Sequence, residues 1–123
     1  MKYWLAVAAG GAGGALMRYG IYQLMASYSD RFQWGQLLAN FAGCLAIGIL
    51  FPLMSKWDDQ AHGLIVVGFL GALTTMSAFS MEVQRLIVDK RMLDAGIFWS
   101  LSTVGCVLMT WCGVFLGMRF LKS

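Results

Sequence analysis

The chain has 123 residues, of which 59% are hydrophobic and 12% are charged, and its formal net charge is +3. A soluble domain has roughly 25% charged residues, so this composition excludes an ordinary water-soluble enzyme and indicates one membrane domain over residues 1–123. The basic residues are spread over several loops without forming a stripe, so we expect no nucleic-acid partner.

Four apolar segments are long enough to cross a lipid bilayer, which takes about 20 helical residues each. They lie near residues 3–27, 34–54, 63–84 and 95–120. The sequence therefore predicts an all-α membrane protein with four transmembrane helices. Pro52 falls where the second helix should end, because proline cannot continue a helix.

The first segment is rich in glycine and has no acidic residue. Because small residues let membrane helices approach closely, this segment is expected to pack tightly against another helix. The glycines do not form the G-x-G-x-x-G fingerprint of dinucleotide-binding proteins, since Leu16 stands at the third glycine position. We expect no nucleotide. The apolar pattern runs on past Arg18, so we also expect no cleaved signal peptide.

Two polar side chains fall inside the first two segments, where an amide or a charge is a functional candidate. Arg18 either extends toward the 27–33 loop or belongs to a vestibule, and both readings stay open. Asn40 either joins neighbouring helices or lines an ion pathway. We favour the pathway because an amide N–H can donate to an anion.

The third segment is interrupted. Residues 68–82 read GFLGALTTMSAFSME, and the apolar run changes at Gly71 and the pair Thr74 and Thr75. In hydrocarbon every backbone N–H and C=O needs a partner, so a broken helix persists only where it is buried in protein or lines an ion or water site. We therefore predict a third helix that is broken in mid-membrane, with freed backbone groups that could hold a small ion.

Polar residues follow this interruption at helical spacing. Met76, Phe79 and Glu82 recur every three residues and share a face, although such spacing is also typical of packing. In the fourth segment Ser102, Cys106 and Thr110 are four residues apart, a pattern that also suits hydroxyls bonded to the preceding turn. The cysteines lack C-x-x-C spacing and are interpreted as small apolar residues rather than as metal ligands.

Apart from Arg18, which lies within the first segment, the basic residues are divided equally between the two sides of a four-helix arrangement. An excess of Lys and Arg on one side normally fixes orientation. The equality either arises by chance or indicates a chain that inserts both ways round and pairs antiparallel. The two sets are Lys2, Lys56, Arg119 and Lys122 on one side, and Arg31, Arg85, Lys90 and Arg91 on the other.

Nearly the whole chain resembles the Fluc (CrcB) family of fluoride channels. GGAGGALMRYG resembles the family's glycine-rich first helix, and GQLLANFAGCLAIG resembles its G-T-L-x-x-N-x-x-G segment. The most specific likeness is that of GFLGALTTMSAFSMEV to G-F-x-G-x-x-T-T-F-S-T-F-S-x-E. GCVLMTWCG fits a looser pattern in the fourth helix.

The resemblance implies a fluoride-selective channel, not an enzyme, in a bacterial-type plasma (inner) membrane that it crosses several times. It implies an antiparallel dual-topology homodimer with two pores, in agreement with the equal division of basic residues. It also implies a structural Na⁺ at the dimer centre. On motif position its ligands are the backbone carbonyls of Gly71 and Thr74 from each subunit.

The resemblance further implies which residues contact fluoride. The pore asparagine is Asn40, and the two pore phenylalanines of the family correspond to Met76 and Phe79, so one ring is replaced by a thioether. Phe98 stands near the place of a fourth-helix tyrosine. The remaining positions are a polar track of Ser77, Ser80, Glu82, Ser102 and Thr110, with Arg18 and Thr75 in vestibule or structural roles.

Two other functions are alternatives for a chain of this kind. A small multidrug transporter is also a four-helix antiparallel dimer, but that class depends on a glutamate in the first helix, which this chain lacks. A non-transporting assembly subunit would not need an interrupted helix such as that at Gly71 to Thr75.

Overall fold

A computed structural model describes residues 2–28 and 31–122, and the regular structure in these ranges is entirely helical. The first helix is Lys2–Leu24, and the second is Trp34–Leu50, which continues as a 3₁₀ segment, Phe51–Lys56. The third helix has a first half over 59–73 and a second half, Met76–Val88. The fourth helix is Met92–Lys122.

Within the described ranges, three helical segments are long and apolar enough to cross a membrane: Trp34–Lys56, Asp59–Val88 and Met92–Lys122. The prediction of an all-α integral membrane protein is therefore confirmed. The first helix has the length for a crossing at 23 residues, but it is not among these three. Its many glycines and Arg18 make it less apolar on average than the second and fourth helices.

The helix ends have local causes. The side chain of Asp58 accepts a hydrogen bond from the N–H of Ala61 at 2.8 Å, which caps the start of the third helix. At its other end Lys90 adopts a left-handed conformation (φ 61°), and the N–H of Arg91 donates to the carbonyl of Leu86 at 2.8 Å. This is a Schellman ending, and it allows the fourth helix to begin at Met92 after a short turn.

Glycines bring the helices into backbone contact, as the sequence predicted. A Cβ at Gly10 or Gly14 would overlap the backbone of the third helix's first half. The second and fourth helices touch in the same way at Gly48 and Gly113. Such close approach is a main source of helix association in lipid, where no hydrophobic drive acts between helices.

A column of aromatic rings joins the second half of the third helix to the fourth. The ring of Phe98 is fully buried and stacks between Phe79, at 5.9 Å between centroids, and Phe32, at 5.8 Å. Beside the column, Arg31 and Arg91 both bind the carboxylate of Asp94, at 2.8 and 2.9 Å. The segment before the second helix is thereby fixed to the start of the fourth.

The contact between the second and fourth helices predicts opposite effects for two glycine substitutions in the fourth helix. Gly113→Ala should lower stability by about 1–3 kcal/mol, because the added methyl group has no room beside Leu45 and Gly48. Gly96→Ala should be neutral or raise stability by up to about 1 kcal/mol, since that site is open and alanine favours helix. Thermal unfolding in detergent measures both, and equal effects would contradict this packing.

Candidate functional site

The third helix is interrupted at two threonines. Thr74 (φ −95°, ψ 144°) and Thr75 (φ −148°, ψ 127°) are extended, whereas the residues on either side are helical. Both the N–H and the hydroxyl of Thr74 donate to the carbonyl of Leu70, at 3.1 and 3.0 Å, which completes the last turn of the first half. β-Branched threonine suits an extended backbone, so local preference agrees with this geometry.

Asn40 supplies hydrogen bonds at the point where the helix stops. Its side chain is buried, with 8% of the residue exposed. Its Oδ1 accepts from the N–H of Thr75 at 3.0 Å, and its Nδ2 donates to the carbonyl of Thr75 at 3.5 Å. In a continuous helix the Thr75 N–H would donate to the carbonyl of Gly71. Asn40 therefore stabilises the interruption and leaves the Gly71 carbonyl without its helical donor.

Arg18 stabilises the other side of the interruption. Its Nε donates to the carbonyl of Ala72 at 2.9 Å, and its guanidinium lies 5.9 Å from the ring centre of Tyr22. A cation at a helix C-terminus is favoured by the orphan carbonyls and by the helix dipole. The sequence left the role of Arg18 open between a vestibule and extension toward the 27–33 loop. In the structure its side chain makes a contact that supports the interruption.

A cavity of about 350 Å³ opens beside the interruption, and six of the predicted site residues line it together. The second, third and fourth helices all contribute to its wall. Phe79 is 8% exposed, whereas Met76 is 72% exposed at the mouth. The lining is mostly apolar with a few polar groups, which is the usual make-up of a small-ligand site. It consists of Asn40, Cys44, Thr74, Thr75, Met76, Phe79, Ser102, Thr103, Cys106 and Val107.

A smaller space of about 190 Å³ lies on the first-half side of the interruption, between the second and third helices. Gly71 and Thr74, the two predicted sodium ligands, both line it. Gly71 is exposed in the single chain, and a Cβ there would only reach ordinary contact with the carbonyl of Val66, at 3.6 Å.

Other predicted track residues lie outside the larger cavity. The hydroxyls of Ser77 and Thr75 are 2.9 Å apart, and Ser80 is exposed. The Thr110 hydroxyl donates to the carbonyl of Cys106 at 3.1 Å, which is the packing alternative that the spacing had allowed.

Glu82 is buried with only 4% exposure, and its charge is paired. Nε and Nη2 of Arg85 donate to the two carboxylate oxygens at 3.0 and 2.6 Å. A bidentate pair of this kind compensates the loss of hydration. The face shared by Met76, Phe79 and Glu82 is therefore divided between the cavity and this ion pair.

Sequence reasoning did not assign five residues to the site or its surroundings. Gln36 lies one helical turn before Asn40 on the same face, and the other four line the cavity: Cys44, Thr103, Cys106 and Val107. Among the described residues, neither amide atom of Gln36 has a hydrogen-bond partner, and its exposure is 2%. Its spacing of four from Asn40 was the signal that could have identified it.

The contact of Arg18 with the interruption predicts a stability effect. Arg18→Met removes a partly buried, charged donor from the Ala72 carbonyl and should lower stability by about 1.5–3 kcal/mol. Arg119→Met, at an exposed position near the end of the fourth helix, is the control and should change it little. Thermal unfolding in detergent compares the two variants, and an unchanged Arg18→Met protein would show that this hydrogen bond does not stabilise the interruption.

Comparison with known proteins gives one family. Residues 5–114 match the family model described as CrcB-like protein, Camphor Resistance (CrcB). A protein of Aeromonas salmonicida named fluoride-specific ion channel FluC is 40% identical over 100% of this chain and 98% of its own length. Proteins with the same name from Pseudoalteromonas translucida and Trichormus variabilis are 38% and 34% identical, over 92% and 95% of this chain and 98% and 89% of theirs.

Proposed function

Because the chain belongs to the CrcB-like protein family, we propose that it is a fluoride-selective ion channel, through which F⁻ leaves the cytoplasm passively. The observation that carries the proposal is the cavity at the interruption of the third helix, where Asn40, Thr75 and Phe79 lie together. An assembly subunit would need no such cavity, and the first helix lacks the glutamate of a multidrug transporter.

Fluoride is strongly hydrated, so a pore must replace its water with donors at short range. The amide nitrogen of Asn40 has two N–H groups, and the Thr75 carbonyl can take one of them. The second is the donor that we assign to the anion. The ring edge of Phe79 is electropositive and adds a weaker attraction. Donors of this kind bind an anion strongly enough to replace its water, yet weakly enough for the anion to move on along the pore.

Ser102 extends the path along the fourth helix. Its hydroxyl is buried and has no hydrogen-bond partner among the described residues, so it is free to donate to an anion or a water molecule. We assign Ser77, Ser80 and Thr110 to the same polar track. Glu82 belongs to it as a positioning residue, because a free carboxylate would repel F⁻ and the pairing with Arg85 offsets that charge.

No energy source is required for export. HF is a weak acid that crosses the bilayer neutral and releases F⁻ in the less acidic cytoplasm. An inside-negative potential then drives the anion outward with about 2.3 kcal/mol per charge per 100 mV. A channel in a bacterial-type inner membrane fits this need, provided that it excludes chloride and so preserves the potential.

The working unit that we propose is an antiparallel homodimer of chains with four transmembrane helices, counting Lys2–Leu24 as the first. The third helix is broken in mid-membrane. The equal numbers of basic residues on the two sides support insertion in both orientations. Exposed Gly71 at the interruption supports a contact between two chains at that level.

We place a structural Na⁺ between the two interruptions of such a dimer. Gly71 and Thr74 line one small space, and the Gly71 carbonyl lacks its helical donor because the Thr75 N–H donates to Asn40. When bound, the ion would supply positive charge to these carbonyls and hold the two chains together.

The proposed function is tested by efflux from liposomes that contain the purified protein. F⁻ should leave as soon as a cation ionophore relieves the charge build-up, while Cl⁻ should stay. Asn40→Asp keeps the acceptor for Thr75 but replaces the donor by a negative charge, so it should lower the F⁻ rate by at least about 100-fold. Chloride flux equal to fluoride flux would refute the proposal.

The two pore-lining apolar residues should contribute unequally. Phe79→Ile removes the ring edge at the buried position and should slow F⁻ efflux about 10-fold or more. Met76→Phe changes an exposed residue at the cavity mouth and should alter the rate less, in either direction. Efflux rates at matched protein density decide this, and a Phe79→Ile protein that conducts like the parent would contradict the ring-edge assignment.

The dimer and its ion are tested by a methyl group at Gly71. Gly71→Ala fits within one chain, where the nearest atom is 3.6 Å away, so any large effect must come from the partner chain or the ion. We expect it to shift the protein from dimer to monomer and to abolish the stabilisation by Na⁺ over K⁺. Gly96→Ala, at an open site, should do neither. Mass measurement in detergent and thermal unfolding in each salt give the answer, and a sodium-dependent Gly71→Ala dimer would exclude this site.

A further inference from the structure

Two of the three cysteines line the larger cavity, and they come from different helices. Cys44 lies on the second helix and Cys106 on the fourth, and both are half-buried free thiols. Cys112, further along the fourth helix, is exposed and does not line the cavity. The role assigned to the cavity uses neither of the two thiols.

The second and fourth helices are in register at the two cysteines. The carbonyl of Thr110, one turn beyond Cys106, lies against Gly48, one turn beyond Cys44, and before the cysteines Phe41 lies against Gly105. Cys44 and Cys106 therefore stand at one level of the cavity wall. The helices that carry them are in backbone contact one to two turns away, at Gly48 and Gly113. Neither glycine has room for a Cβ, so the two helices lie in close contact there, and the two cysteines stand near each other on adjoining helices.

We propose that Cys44 and Cys106 form a binding site for a soft cation that prefers two thiolates in line, of the class of Hg²⁺, Ag⁺ and Cu⁺. Thiolates select soft ions. Zn²⁺ in a structural site takes four ligands. No group of three or more His, Cys, Asp or Glu that could hold a metal ion occurs in residues 2–28 and 31–122, so a site with two ligands is what this wall can offer.

Binding is an exchange of protons for metal. Two S–H bonds break, two S–Hg bonds form, and two protons leave, with no change in oxidation state. The product with Hg²⁺ is neutral and joins the second and fourth helices across the cavity wall. The bound ion also closes the cavity to F⁻, a consequence that rests on the proposed channel function.

Stoichiometry tests the site without any transport assay. In a Cys112→Ser protein, HgCl₂ should add one mercury per chain, with the loss of two hydrogens in the intact mass, and should protect both thiols from maleimide. Two mercury atoms per chain would mean that the thiols react separately and would overturn the site. Cys44→Ser and Cys106→Ser in the same background should each give an adduct that a monothiol removes far more readily.

Transport tests the closure. Fluoride efflux by the parent and by Cys112→Ser should stop at the same low mercury concentration. Cys44→Ser and Cys106→Ser, each compared with its own metal-free rate, should need an about 100-fold higher mercury concentration to stop efflux. The reason is that in the parent the second thiolate binds the same ion at high effective concentration. Continued flux through mercury-bridged protein would refute closure. A protein without any F⁻ flux would refute the channel itself and leave the mass measurement to decide the site.

Discussion

The need to satisfy backbone hydrogen bonds away from water governs this molecule. Thr74 and Thr75 leave the helical conformation inside an apolar segment, so several N–H and C=O groups lose their helical partners. Asn40 from the second helix takes both backbone groups of Thr75, and Arg18 from the first takes the carbonyl of Ala72. The interruption is therefore a junction at which side chains of the first and second helices bond the backbone of the third.

The glycine contacts make that junction possible. Arg18 can reach Ala72 because Gly10 and Gly14 bring the first helix against the backbone of the third. On the far side, Gly48 and Gly113 bring the second and fourth helices into backbone contact next to the cavity that both helices line. Stability and function are thus linked, since the substitutions that separate the helices would also move Asn40 away from Thr75.

Much of this architecture could be predicted from the sequence, and the exceptions have physical causes. Apolar segments and polar joints place the helices to within a few residues, and the threonine pair marks the interruption. The partner of Arg18 could not be predicted, because hydrogen bonds between helices depend on their rotation and separation. The pairing of Glu82 with Arg85 could have been predicted from their spacing of three residues. The family resemblance instead led to the prediction that Glu82 belongs to the fluoride track. The cysteine pair joins residues 62 positions apart, beyond any local pattern.

The central claim is that the cavity at the interrupted helix passes fluoride selectively and passively. The most direct measurement is the voltage of zero current across a planar bilayer that contains the protein, with about a tenfold fluoride gradient and equal chloride on both sides. One tenfold gradient is worth about 1.4 kcal/mol and a charge moves with about 2.3 kcal/mol per 100 mV, so the account predicts about 60 mV, of the sign set by fluoride. A current that reverses near zero voltage would show that chloride carries it and would contradict the account.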